Sequence, residues 1–225
     1  MLDVLFCDNH LLVISKPAML STQPATVGEA CLEDFAKEWL LKETGKAVFL
    51  EPIHRLDKPA SGIVVFARSS KALSRLNNAM RERQIDKTYF AFVEGTLPSK
   101  EGQLEHFLRH GDFRADVVSS EKAGGKRSLL TYKVLSTHGG QVLLQIQLIT
   151  GRYHQIRAQL SAIGCPIIGD KKYGSRHSFP SGIALHHGEI SFIHPVTKEK
   201  LRFSLVPEWM KEISPNAKRE MLNAK

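Results

Sequence analysis

The chain has 225 residues, of which 42% are hydrophobic and 24% are charged, which is typical of an ordinary globular protein. Its 31 Lys and Arg residues against 23 Asp and Glu give a formal charge of +8. This excess favours a polyanionic partner, most simply nucleic acid, with an indifferent basic surface as the alternative. No run approaches the ~20 apolar residues of a membrane span, and the N-terminus lacks the pattern of a signal peptide.

The three cysteines, Cys7, Cys31 and Cys165, are odd in number and share no close spacing. Reduced thiols therefore fit better than a disulfide framework or a zinc site, and we expect a cytoplasmic protein. The length suits one large domain or two small ones.

The first elements are two short strands, Val4–Phe6 and Leu11–Ser15, joined by a turn. A helix follows and ends at Gly45, which has the position of a C-cap. Its apolar residues recur at helical spacing and are expected in the core: Leu32, Phe35, Ala36, Trp39 and Leu40.

The segment His54-Arg55-Leu56-Asp57 precedes a buried strand at Ile63–Ala67, and prolines on both sides keep it out of a helix. Asp57 is therefore expected in a tight loop that leads into a core strand. The neighbouring cationic side chains favour an ionised carboxylate, which suits nucleophilic or general-base chemistry. A salt-bridged surface turn is the alternative.

Two elements come next. A helix from Ser70 to Arg83 has a basic face, which is typical either of simple solvation or of a phosphate contact. A strand rich in aromatic residues, Lys87–Gly95, places Tyr89 on the same face as Ala91 and Val93. On this pattern alone, Tyr89 is a core or edge tyrosine.

The residues from Ser99 to Ser128 are polar, rich in glycine and basic, and we expect flexible loops. Such loops suit an RNA contact, with simple exposure to solvent as the alternative. Strands resume at Leu129–Leu135 and Val142–Ile149. The chain closes with strands at Ala184–His187, Ile190–Ile193 and Leu201–Leu205, then a short helix from Glu208 and a charged tail.

A second motif runs from Gly151 to Gln159, where a strand ends and a helix begins. Arg152 would lie at the helix N-terminus, where the helix dipole disfavours a cation. It therefore needs an anion, which a carboxylate such as Asp57 or an RNA phosphate would supply. The histidines match no metal-ligand spacing, and no phosphate loop or dinucleotide fingerprint is present, so neither a metal nor a nucleotide cofactor is expected.

Taken together, these motifs resemble the RluA-type pseudouridine synthases. The family signature His-Arg-Leu-Asp, two variable residues, Thr-Ser-Gly is matched by His54–Asp57 and Ala60–Gly62. Lys-x-Tyr is matched at Lys87–Tyr89, and Gly-Arg-x-His-Gln-Ile-Arg-x-Gln at Gly151–Gln159. The resemblance also includes the segments Leu11–Pro17 and Gly169–Gly174, and covers about the whole chain.

The resemblance implies a single mixed α/β catalytic domain over residues 1–225, with a bent, mostly antiparallel sheet flanked by helices and a central active-site cleft. It implies isomerisation of uridine in rRNA or tRNA to pseudouridine, without cofactor or metal, by a protein that we expect to be a monomer. Asp57 matches the catalytic aspartate, and Arg152 matches the arginine that pairs with it. Tyr89 matches the tyrosine that stacks on the target base, and Arg55 the residue that replaces the flipped uridine in the RNA stack.

The sequence departs from the family pattern in two ways. Ala60 replaces the usual Thr, and no S4-type RNA-binding module is expected at the N-terminus. One rival interpretation is an RNA-binding or ribosome-assembly factor on the same fold with weak or lost catalysis. A glycosidase-like hydrolase is a further alternative, but it would need a second carboxylate, and none is evident.

Overall fold

The computed structural model of the protein describes residues 2–24, 26 and 28–213, apart from the side chains of residues 211–213. It divides the chain into two compact units. The first unit comprises the chain up to Asp86 together with Glu189–Leu205, and the second comprises Lys87–Gly188 and the chain from Val206. The predicted mixed α/β class with largely antiparallel strands is confirmed. The single domain with a central cleft stays a prediction.

The first unit is built on antiparallel strands in the order β1-β2-β4. Their bounds are Asp3–Cys7 for β1, Leu11–Lys16 for β2 and Ser61–Ala67 for β4, and a short β3, Glu51–Pro52, also pairs with β4. Strand β11, Lys200–Ser204, pairs with the Glu189–Ile193 part of β10, which spans Leu185–Ile193. The predicted strands in this unit are confirmed, except that two predicted closing strands form the single strand β10.

Two helices flank these strands. Helix α1, Leu32–Thr44, ends as predicted at Gly45, which takes the left-handed conformation at φ 71°. Helix α2, Ser70–Arg81, begins after Ser69, whose side chain accepts a hydrogen bond from the Ala72 amide. One face of α2 packs through Ala72 and Leu76 onto a core that includes these residues of β2 and β4: Leu11, Val13, Ile63 and Val65.

The predicted burial of the whole apolar stripe of α1 was wrong for Phe35, which is 43% exposed. The buried face follows the four-residue row of Leu32, Ala36 and Leu40. Phe35 is one residue away from Ala36 and therefore points about 100° around the helix from it. The apolar run in the sequence is thus wider than the face that the core covers.

The second unit has antiparallel strands in the order β5-β9-β8-β6-β7. Their bounds are Asp86–Glu94 for β5, Glu101–His110 for β6, Ala115–Val118 for β7, Lys126–His138 for β8 and Gln141–Leu148 for β9. Helix α3, Gln155–Ala162, follows β9 and ends before Gly164, which has a positive φ of 75° as expected of a stop.

The prediction of flexible loops between Ser99 and Ser128 was wrong. This segment forms β6, β7 and the start of β8, in register from Glu101 opposite Lys133 to Leu108 opposite Lys126. Along β6 only Leu104 and Leu108 are buried, and they are four residues apart. The sequence of this strand therefore lacks the apolar alternation that identifies a half-buried strand. Pairing with β8, rather than its own hydrophobic pattern, therefore accounts for this strand.

The final helix, α4, spans Glu208–Ile213 and agrees with the predicted helix from Glu208. The predicted charged tail lies outside the described residues. Within the described part of the chain, no helix is both long enough and apolar enough to cross a membrane.

Candidate active site

Asp57 lies in the loop between β3 and β4, as predicted. Its carbonyl oxygen accepts a hydrogen bond from the amide of the buried Ala60 at 3.0 Å, which closes a tight turn. On the other side, the buried Leu56 exchanges two hydrogen bonds with the Thr22 hydroxyl: its amide donates at 3.1 Å, and its carbonyl accepts at 3.1 Å. The half-buried Asp57 is therefore held on both sides by fixed backbone.

Lys16, the last residue of β2, also supports this turn, although no pattern in the sequence predicted that role. Its side chain is fully buried, and its Nζ donates to the carbonyls of Pro17 (2.9 Å), Leu20 (2.7 Å) and Lys58 (3.3 Å). Burial lowers the pKa of Lys16 to about 7, although the negative charge of Asp57 acts to raise it. Lys16 thus connects the start of the chain to the turn that carries Asp57.

The other basic side chains of this motif have contacts of their own. Lys58 forms an ion pair with Glu29 at 2.6 Å, and this contact lowers the pKa of the Glu29 carboxyl. His54 accepts a hydrogen bond from the Val65 amide through Nε2 at 3.3 Å, which fixes the loop to β4. Arg55 is exposed to solvent. An exposed side chain beside the Asp57 turn is compatible with an RNA contact.

The replacement of the family threonine by Ala60 leaves the turn intact. Ala60 contributes its amide to the turn, and its side chain is 2% exposed. The hydrogen bond that closes the turn is made by backbone alone, so it does not depend on a hydroxyl at this position.

The remaining two predicted site residues, Tyr89 and Arg152, lie in the second unit. Tyr89 is in β5, where its ring is 6% exposed and stacks on the buried His187, with centroids 4.5 Å apart and planes 20° apart. No pattern in the sequence predicted His187 as the neighbour of Tyr89. The neighbouring Lys87 is also buried, which lowers its pKa.

Arg152 differs from its predicted place at the start of a helix. Helix α3 begins only at Gln155, after His154, so Arg152 lies in the connecting loop. Its amide donates to Gln155 Oε1 at 3.0 Å, and its Nε donates to the Arg127 carbonyl at 3.5 Å. The side chain is exposed, as a residue that binds an external anion requires. Its pairing with Asp57 stays a prediction.

A buried polar network supports the Arg152 loop. Arg157 in α3 donates to both carboxylate oxygens of Asp170, at 2.7 and 2.9 Å, and its guanidinium lies 5.0 Å from the Tyr173 ring centroid. The Tyr173 hydroxyl accepts from the Ala115 amide at 2.7 Å and lies 3.0 Å from His154 Nδ1. The segment Gly169–Gly174 matches the family pattern in sequence, and two of its residues, Asp170 and Tyr173, hold the start of α3 in place.

In the described part of the chain, no group of three or more His, Cys, Asp or Glu residues has an arrangement that could hold a metal ion.

Comparison with known proteins gives a consistent result. A family model described as RNA pseudouridylate synthase matches residues 10–162. The chain is 33% identical over 211 residues to the dual-specificity RNA pseudouridine synthase RluA of Haemophilus influenzae, covering 90% of this chain and 92% of that protein. It is 32% identical over 200 residues to the uncharacterized RNA pseudouridine synthase YhcT of Bacillus subtilis, covering 88% of this chain and 66% of that protein.

A solved structure shares the fold. The human RNA pseudouridylate synthase domain containing 4 superposes with a TM-score of 0.76 at 24% identity, covering 92% of this chain and 89% of that one. The match of the family model to most of the chain, together with the RluA similarity over nearly the full length of both proteins, leads to one conclusion. This chain belongs to the RNA pseudouridylate synthase family, with RluA-type enzymes among its relatives.

Proposed function

We propose that this protein converts uridine within RNA to pseudouridine, with Asp57 as its catalytic carboxylate. Family membership supports the reaction. The observation that carries the assignment of Asp57 is its turn, which closes through Ala60 and is fixed from the other side by Thr22. A carboxylate held by backbone at the start of a core strand is well placed for repeated, accurate positioning against a substrate.

The reaction is an isomerisation. The N1–C1′ bond breaks and the C5–C1′ bond forms, while the C5 proton leaves to solvent and N1 takes up a proton. Because the composition of the nucleotide does not change, the reaction needs no oxidant, reductant or group donor. Asp57 acts on the ribose or the base as a nucleophile, or removes a ribose proton as a base.

We assign the other predicted residues roles around this carboxylate. Arg152 pairs with the Asp57 carboxylate and orients it. Tyr89, already backed by the His187 ring at 4.5 Å, stacks on the extruded base. Arg55 takes the place of that base in the RNA stack and offsets part of the few kcal/mol that extrusion costs.

We infer that the substrate is rRNA or tRNA. The related Vibrio parahaemolyticus protein named tRNA pseudouridine synthase C is 30% identical over 220 residues, and the RluA relative is named as dual-specific. The formal charge of +8 suits a long polyanion. We further propose that the protein acts as a monomer without a cofactor, in the cytoplasm, where its three free thiols stay reduced.

The test is turnover of rRNA and tRNA transcripts that carry uridine tritiated at C5. We expect the wild-type protein, after dialysis against EDTA, to release tritium into water and to leave pseudouridine in the RNA. Tight RNA binding without tritium release would contradict the proposal and favour an RNA-binding or ribosome-assembly factor. Release that is lost with EDTA and restored by a metal would contradict the absence of a cofactor.

A further inference from the structure

A stack of three aromatic rings emerges at the surface of the second unit. His110, the last residue of β6, lies against Tyr153 with ring centroids 4.1 Å apart and planes 26° apart. Tyr153 lies against His154 in turn, at 3.8 Å and 20°. The stack runs from the buried His154 to the 37% exposed Tyr153 and the exposed His110.

The inner end of this stack is anchored. His154 takes a left-handed conformation at φ 51° and lies 3.0 Å from the Tyr173 hydroxyl through Nδ1. That hydroxyl also accepts a hydrogen bond from the Ala115 amide at 2.7 Å. The stack is therefore held in place before any ligand binds. A ligand that stacks on it loses little affinity to the ordering of side chains.

Exposed cations lie along the β6–β7 hairpin and in the neighbouring Gly169–Gly174 segment: Arg109, Arg114 and Lys172. Lys172 Nζ donates to the carbonyl of Phe113 at 2.9 Å, and the Phe113 ring is 78% exposed. Two carboxylates belong to this hairpin. Asp116 contacts Arg114 at 3.1 Å and Arg109 at 3.9 Å, and Asp112 is exposed. The charge balance of this surface is positive.

We propose that His110, backed by Tyr153, forms a second RNA contact at which an unpaired nucleotide other than the reacting uridine stacks on the outer ring. We call these two residues the aromatic patch. The cations of this surface bind the phosphates on either side of that nucleotide. Flat rings beside cations match the needs of single-stranded RNA, since every base offers a π face and every linkage a negative charge. The inference rests on the proposed function only in taking RNA as the partner.

The test measures binding of the full chain to two fluorescent probes, a 12-nucleotide oligouridylate and a 12-base-pair RNA duplex. We expect the double variant His110→Ala/Tyr153→Ala to bind the oligouridylate roughly 5- to 100-fold more weakly, the range seen when stacking residues are truncated. Binding of the duplex should change far less, because its bases are already stacked on one another. The matched control is His138→Ala, which should bind as wild type. His138 is exposed and is the last residue of β8, whereas the first residue of β8, Lys126, pairs with Leu108 near the aromatic patch.

Conservative variants separate stacking from a merely structural role. His110→Tyr and Tyr153→Phe keep flat rings and should retain wild-type affinity for the oligouridylate. In tritium-release assays the double alanine variant should raise KM and leave kcat unchanged.

The proposal is overturned if the double variant, folded by its melting temperature, binds oligouridylate within twofold of wild type. Equal losses for the oligouridylate and the duplex would also overturn it. Oligouridylate binding is measured without turnover, so a wild-type protein that releases no tritium would contradict the proposed function and leave this result standing.

Discussion

Lys16 is the single residue whose environment makes the clearest prediction about stability. Burial lowers its pKa from 10.5 to about 7, so between these pH values the unfolded chain holds a proton that the folded chain has released. The free energy of unfolding contributed by this group therefore rises with pH from about 7 to 10.5, by at most ~1.4 kcal/mol per pH unit.

Urea denaturation of wild type and Lys16→Met between pH 6 and pH 9 checks this prediction. The difference in unfolding free energy between the two proteins should be flat below pH 7 and should shift in favour of wild type above it. The exposed Lys133→Met variant should track wild type at every pH. A constant difference across the whole range would mean that Lys16 does not change its proton affinity on folding.

Arg55 is the residue whose proposed role depends most on the structure of the RNA. If it replaces the extruded uridine in the stack, Arg55→Ala should lower kcat/KM roughly tenfold or more on a stem-loop RNA. The loss should be much smaller on an unstructured oligonucleotide, which has no stack to fill. Lys58→Ala removes an exposed neighbouring cation and serves as the control. Equal losses on both RNAs would exclude the stacking role of Arg55.

At the scale of elements, the contact between α3 and the Gly169–Gly174 turn depends on a buried ion pair. The side chains of Arg157 and Asp170 are 4% and 1% exposed. Removing one partner leaves a buried charge uncompensated, so we expect Arg157→Met or Asp170→Asn to lower the free energy of unfolding by about 3–5 kcal/mol. Arg157→Met/Asp170→Asn should cost less than the sum of the two single changes, as measured by a double-mutant cycle in urea. Additive losses would show that the pair is not coupled.

Elements with a strong local signal were predictable from the sequence. A continuous apolar run predicted β4, and the alternation of apolar and polar residues predicted β9. Gly45 and Gly164 predicted two helix ends, and both take the left-handed conformation there. The Asp57 turn was predictable for the same reason, since prolines and glycine leave few other conformations for that segment.

The elements and contacts that the sequence did not reveal depend on residues distant in the chain. Strand β6 has a polar pattern and exists because β8 pairs with it. In the sequence, Lys16 is an ordinary lysine at the end of a strand. In the structure it is buried, and its Nζ donates to three backbone carbonyls from separate positions in the chain. His187 lies nearly one hundred residues from Tyr89, so no local pattern links the two rings.

At the scale of the whole molecule, the charge of +8 predicts salt-sensitive RNA binding. Four phosphate contacts to a single strand would weaken the affinity roughly 50-fold between 50 and 200 mM salt. Fluorescence anisotropy with oligouridylate measures this slope directly. Arg109→Gln, which removes one exposed cation, should reduce the slope by about 0.7. An affinity independent of salt would contradict an electrostatic mode of binding.

The account depends on the carboxylate of residue 57, and tritium release by Asp57→Asn tests it most directly. The amide has nearly the shape of the carboxylate but can act neither as a nucleophile nor as a base at neutral pH. We expect wild type to release tritium from C5-tritiated rRNA or tRNA, and Asp57→Asn to release none while it binds the same RNA with nearly wild-type affinity. Turnover by Asp57→Asn at a rate close to that of wild type would contradict the central claim.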